Sequence, residues 1–271
     1  MNHFFAMQSV HISLPTETIF HIGPLPVTNT MLLGGLGVAV LLALFFHTVR
    51  QVKRGTRTRV SSLVQWAFEG MYGAVYDIVP DRKMARSIAP LALTIFFTVL
   101  ITYWMGIVPG VGPVHWDEGP LLRGLPTDLN FTLALAVISM VAVQYYAIKV
   151  HGLFGNMGRY LINPIKNPIG AFEGFLELIG ELSRLIALCL RLFGNAFAGE
   201  VLLVIVAAMS SYFASVTLPF FFAFELFIGF IQAYVFYVLT LIFASLATAS
   251  HGGGHSSAHD TAQHKEVPAS T

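Results

Sequence analysis

The sequence is short of charge. Only 11% of its 271 residues are Asp, Glu, Lys or Arg, where soluble domains carry about 25%. With 55% hydrophobic residues and a mean hydropathy of +0.71, that deficit places the chain in the membrane class before any motif is read. Basic and acidic residues nearly cancel, 15 against 14, so the chain has no electrostatic footprint for nucleic acid. Cys189 is the sole cysteine; this excludes an intrachain disulfide and leaves the redox compartment unread. No GxxxxGK[ST] stretch occurs, which argues against nucleotide hydrolysis by this chain. Met1 to Asn29 lacks the charged run and short apolar core of a secretory signal. No internal repeat is visible, which weighs against the duplicated architecture of many secondary transporters.

What the sequence does have is long apolar runs. A bilayer-spanning helix needs about 20 mostly apolar residues, and five candidates follow. Thr30 to Thr48 ends in the basic cluster Arg50, Lys53, Arg54, Arg57 and Arg59. Ile88 to Val108 closes at Pro109-Gly110. Leu129 to Val150 leads into a loop with Asn163-Pro164 and Asn167-Pro168. Ile169 to Ser211 has no proline inside and reaches about twice the hydrocarbon thickness, so it must tilt strongly or break. Leu218 to Ala249 is the last, with Ser210-Ser211 and Pro219 bracketing the turn before it. Between the first two spans, Leu63, Trp66, Ala67, Met71, Ala74, Val75 and Ile78 recur at helical spacing among Gln65, Glu69 and Asp77, as in an amphipathic helix lying on the membrane surface. The fold class is therefore an all-α membrane protein, about five embedded helices plus one surface helix, with a long tilted C-terminal hairpin. Residues 1–250 form a single integral membrane domain, and 251–271 read as a disordered His/Gly-rich tail. Its four histidines lie among glycines that fix no geometry, so no metal site is expected. Lys and Arg gather in the stretches 50–59, 82–86 and 149–166 and are sparse in the 109–128 loop. The positive-inside rule puts the first three on the cytoplasmic side, with the N-terminus outside and the C-terminus inside.

Within the fourth span lies Arg191. A guanidinium keeps its proton inside proteins, and a cation at the bilayer centre costs at least roughly 2.5–3.5 kcal/mol. At about 100° per residue, Glu173, Arg184, Glu177 and Asn195 fall within roughly 40° of Arg191, on one narrow stripe. Glu200 lies on the opposite face, where it can approach Glu225 across the hairpin. Glu225, Gly229, Gln232 and Phe236 share a stripe on the last helix. Taken alone, Arg184 reads as a cation snorkelling to the interface, Glu173 and Glu181 as interfacial acids, and the small residues Gly194, Ala196, Ala198 and Gly199 as packing positions. Together, the polar residues read as two separated acid-lined pathways with a cationic barrier between them.

At these residues the chain resembles subunit a of the F-type ATP synthase. The match is strongest at Leu190-Arg191-Leu192-Phe193-Gly194-Asn195 and continues through Ala198-Gly199-Glu200. It extends to Ala89–Phe96, Pro126–Leu133, Gln232–Phe236 and Phe20–Pro24. The resemblance implies that Arg191 is the essential arginine facing the ion-carrying carboxylate of a rotating ring of c subunits. Asn195, Glu200 and Gln232 match positions on the outer access path, and Glu177 the cytoplasmic exit. Glu225 stands where some relatives carry histidine. The implied function is that of a proton-translocating stator subunit with two offset half-channels. It would have no active site of its own, no cofactor and no metal. Its implied partners are the c ring, peripheral-stalk b subunits, the lipid bilayer and protons. The expected location is a bacterial inner membrane. The alternative is a stand-alone ion channel or secondary transporter.

Overall fold

In a computed structural model, residues 18–23, 25–108, 115–116, 119–120, 122–160, 168–210 and 213–248 are described. The His-rich tail lies outside them. Two strands that the apolar pattern did not announce, β1 (Thr18–Ile22) and β2 (Leu25–Thr28), form an antiparallel hairpin in which Gly23 takes φ 61°. That left-handed conformation costs glycine nothing. The Thr28 side chain then accepts from the Met31 amide and starts α1, Asn29–Lys53. The helix outruns the expected span because Arg50 and Lys53 belong to its last turn, where cations complement the helix dipole. α2 (Arg59–Ile78) opens on a reciprocal capping box between Thr58 and Ser61. It is amphipathic as expected: Val75 is buried and Met71, Ala74 and Ile78 are half-buried, while Glu69 and Asp77 are exposed; Leu63 and Trp66, at the start of the same apolar face, are not covered by the chain.

The core is built around α3, Arg82–Ile107, which Asp81 caps by accepting from the Lys83 amide. Ala85, Ala89 and Ala92 are buried along it. Small residues let helices approach closely where hydrophobicity alone gives no drive for helices to associate. α4, Leu129–Tyr160, contains one break, at Gly152 (φ 75°), so its apolar span is Leu129–Leu153. α4 is pinned to α3 by Tyr146 Oη donating to the Ser87 carbonyl (2.7 Å). Ser139 and Thr240 hydroxyls share a hydrogen bond of 2.8 Å that ties it to the last helix. α5 runs unbroken from Pro168 to Ser210, 43 residues, or about 65 Å, so of the two expected outcomes it is not broken. α6 is Ala214–Thr248, and Pro219 lies inside it rather than in the turn. Pro219 is the sixth residue of α6, so the helix forgoes one i→i−4 bond there, to the Ser215 carbonyl.

These five helices, α1 and α3 to α6, are long and apolar enough to cross a membrane. The chain covers them unequally. Of the most apolar stretch of α3, 61% is buried within the chain, but only 17% of that of α5. α5 is thus a long outer wall, held by one face.

The segment 122–128 is seated between helices α1 and α3 by two close approaches. A Cβ on Gly106 of α3 would stand 2.8 Å from Gly124 Cα, and one on Gly34 of α1 would stand 2.7 Å from the Leu125 methyls. Asp128 completes the seat: it accepts from Thr30 Oγ1 (3.1 Å) and caps α4 through the Asn130 amide (2.9 Å). Gly106→Ala forces two backbones apart and is expected to destabilise the protein by about 1–3 kcal/mol. Thermal unfolding in detergent measures this; a wild-type melting temperature would contradict the seat.

Candidate functional site

The lengthwise order of α5 sets the geometry. Glu177 and Glu200 are 23 residues apart, about 35 Å along the axis, and Arg191 lies between them, about 13 Å from the level of Glu200. Across the α5–α6 hairpin, Gly199 meets Glu225 and Arg184 meets Phe243. This antiparallel register brings Gln232 level with Leu192, one residue from Arg191.

At the Glu200 end the polar groups are densely partnered. Arg123, from the seated 122–128 segment, is 4% exposed; its Nε donates to Glu200 Oε2 at 3.2 Å, and its guanidinium lies 5.8 Å from the Phe197 ring centroid. The Glu200 side chain is 37% exposed, so one end of the pair is open. Glu225 is buried and accepts from Tyr103 Oη of α3 at 2.7 Å. Its carboxyl packs onto Gly199, at a spot where a Cβ would overlap it. The Glu225 carboxyl thus reaches the residue next to Glu200 on α5, and each acid has its own donor from elsewhere in the fold. Gln232, Gly229 and Phe236 are buried with Glu225, so the stripe on α6 faces inward as a unit.

At the Glu177 end a cavity of about 190 Å³ is lined by Glu177, Glu181, Arg184, Met140, Val143 and Phe243, among others. That volume admits several waters. Glu181 is half-buried, and Gln144 Nε2 of α4 donates to its carboxyl oxygens at 2.7 Å. Arg184 places its guanidinium 5.2 Å from the Phe243 ring centroid, at the edge of this cavity.

Between the two ends, the inward side of α5 is apolar. Leu188, Cys189, Leu192 and Ala196 are all buried. Arg191 points elsewhere. It and Asn195 are exposed, Glu173 likewise, and Glu177 and Arg184 are half-buried. Among the described residues Arg191 has no hydrogen bond, ion pair or ring contact. The buried arc of α5 is centred roughly 100° from Arg191 around the helix, so the stripe runs along the rim of the uncovered face.

Arg123 and Tyr103 are the partners of these acids that the sequence alone does not point to. Arg123 left a trace, as the one basic residue of a polar loop, flanked by Leu122 and Gly124. Tyr103 left none, because an aromatic in an apolar span reads as packing. Among the described residues no cluster of three or more His, Cys, Asp or Glu could hold a metal ion.

The Arg123–Glu200 contact makes a measurable demand. Glu200→Gln removes a charge facing a buried guanidinium, at an expected cost of about 1–2 kcal/mol given the partial screening by solvent. Adding Arg123→Met is expected to cost less than the sum of the two single changes, by about 1 kcal/mol. Thermal unfolding of the singles and the double checks this; strict additivity would contradict the pairing.

The family model described as ATP synthase A chain matches residues 31–245. The ATP synthase subunit a of Aliivibrio salmonicida (strain LFI1238) is 35% identical over 214 residues, covering 75% of this chain and 79% of its own. That of Vibrio alginolyticus is 34% identical over 218 residues, 77% and 79% of the two chains. That of Mycobacterium ulcerans (strain Agy99) is 34% identical over 227 residues, 81% and 86%.

Proposed function

The chain belongs to the ATP synthase A chain family, as a multi-pass, proton-translocating subunit of the F-type ATP synthase membrane sector, and we propose that Arg191 is the fixed cation past which that proton transfer is organised. The observation that carries this reading is the placement of Arg191: mid-way along α5, exposed, and without a partner among the described residues. A permanent charge at that depth calls for a carboxylate supplied by another subunit. The c ring supplies one in this reading, and peripheral-stalk b subunits hold the stator against it.

A proton enters from the outer aqueous side, where Glu200, Glu225, Asn195 and Gln232 line the way. It neutralises a carboxylate on the ring. The neutral carboxyl can enter lipid, whereas the anion pays a large desolvation cost there, so the ring turns in one sense. On its return the carboxyl meets Arg191, which favours the ionised form, and the proton leaves toward Glu177 and the cytoplasm. The buried apolar side of α5 at Leu188, Cys189 and Leu192 supports two separate half-channels rather than one pore. Each proton crossing 100 mV carries about 2.3 kcal/mol, so several must pass for each ATP. The basic ends of α1, α3 and α4 face the cytoplasm in this arrangement, with the N-terminus outside and the C-terminus inside, in a bacterial inner membrane.

Arg191→Ala in the assembled complex tests the proposal. ATP-driven proton pumping and proton-driven ATP synthesis should each fall at least a hundredfold while the complex still assembles. Coupled pumping at the wild-type rate would overturn the mechanism.

A further inference from the structure

Tyr103 and Glu225 form a buried unit in which three helices meet. Both residues are 3% exposed. Tyr103 comes from α3, Glu225 from α6, and the backbone of Gly199 from α5 closes the third side. Two missing side chains make the fit. A Cβ on Gly199 would overlap the Glu225 carboxyl, and a Cβ on Gly229, one turn along α6 from Glu225, would stand 2.5 Å from Tyr103 Cδ1. The Tyr103 ring therefore lies on Gly229 and its hydroxyl donates to Glu225 Oε1 at 2.7 Å. Trp104, the next residue on α3, donates its Nε1 to the Leu226 carbonyl at 3.0 Å. The two helices are thus stapled at successive residues, and the rotation of Tyr103 about α3 is fixed. A buried carboxyl needs such a donor; one on a neighbouring rigid helix also fixes where its oxygens stand.

We propose that Tyr103 is the positioning residue of the outer proton path, its hydroxyl holding the Glu225 carboxyl in the notch left by Gly199, next to Glu200. The proposal rests on the reading that Glu225 lies on that path. Tyr103 accepts no proton in transit; it sets where one Glu225 oxygen stands and leaves Oε2 as the oxygen free to exchange. The titratable and charged groups around Glu225 are Tyr103 from α3, Glu200 from α5, and Arg123 through Glu200; α6 itself adds none within two turns.

The test uses Tyr103→Phe, which keeps the ring on Gly229 and removes the hydroxyl alone. Proton-driven ATP synthesis is measured in vesicles per assembled complex, across outer-side pH, in the wild-type and Glu225→Gln backgrounds. Tyr103→Phe should lower the rate about three- to tenfold, and displace the midpoint of the outer-pH profile by about one unit. It should add less than twofold when Glu225 is already Gln. An unchanged rate and profile, or an equal loss in both backgrounds, overturns the role of Tyr103 while leaving an impaired Glu225→Gln to support the outer path. If Glu225→Gln alone runs at the wild-type rate, it is the placement of Glu225 on the path that fails, and the role of Tyr103 with it.

Discussion

A charge that cannot be discharged sits where the chain offers it no counter-charge among its described residues, and the rest of the structure is arranged around that condition. Three arginines show the contrast. Arg123 is buried, paired to Glu200 and close to Phe197. Arg184 lies over Phe243 beside two carboxylates. Arg191, at the middle of the same long helix, is left open. The fold can neutralise an arginine where it needs one for structure. Leaving Arg191 exposed, on a helix whose apolar stretch is only 17% buried within the chain, makes it available to a group carried by something else.

The second condition is separation. Polar groups concentrate at two levels of α5 about 35 Å apart, one with Arg123, Glu200, Glu225 and Tyr103, the other with Glu177, Glu181, Arg184 and Gln144. The inward side of the helix between them is closed by Leu188, Cys189 and Leu192. Protons move among hydrogen-bonded acids and water, and an apolar seal halts them. In the proposed mechanism a carrier that passes Arg191 bridges the two levels only by moving.

Much of the fold was legible in the sequence, for physical reasons. Spans, the surface helix and the stripes on α5 and α6 follow from periodicity, because lipid exposure leaves little freedom in where polar residues go. The buried stripe Glu225, Gly229, Gln232 and Phe236 falls together in the structure as its spacing required. The β1–β2 hairpin left no usable signal, since two short strands have no long hydrophobic period to betray them. Pro219 misled because a proline close to a helix start reads as a boundary. Arg123 and Tyr103 became visible only in three dimensions. Their partners Glu200 and Glu225 lie 77 and 122 residues away in sequence, and it takes the glycine contacts at Gly106, Gly124, Gly199 and Gly229 to bring them together.

The proposed mechanism requires the ring to pass the exposed face of α5, on the side of Arg191. Single cysteines introduced as Leu190→Cys, Gly194→Cys and Ala198→Cys on the exposed arc, and as Leu188→Cys, Leu192→Cys and Ala196→Cys on the buried one, all with Cys189→Ser, can be paired with a cysteine on the ring helix beside its carboxylate. Disulfide formation in native membranes should join the ring to the exposed set and spare the buried set. Cross-links confined to 188, 192 and 196, or none from 190, 194 and 198, would contradict it.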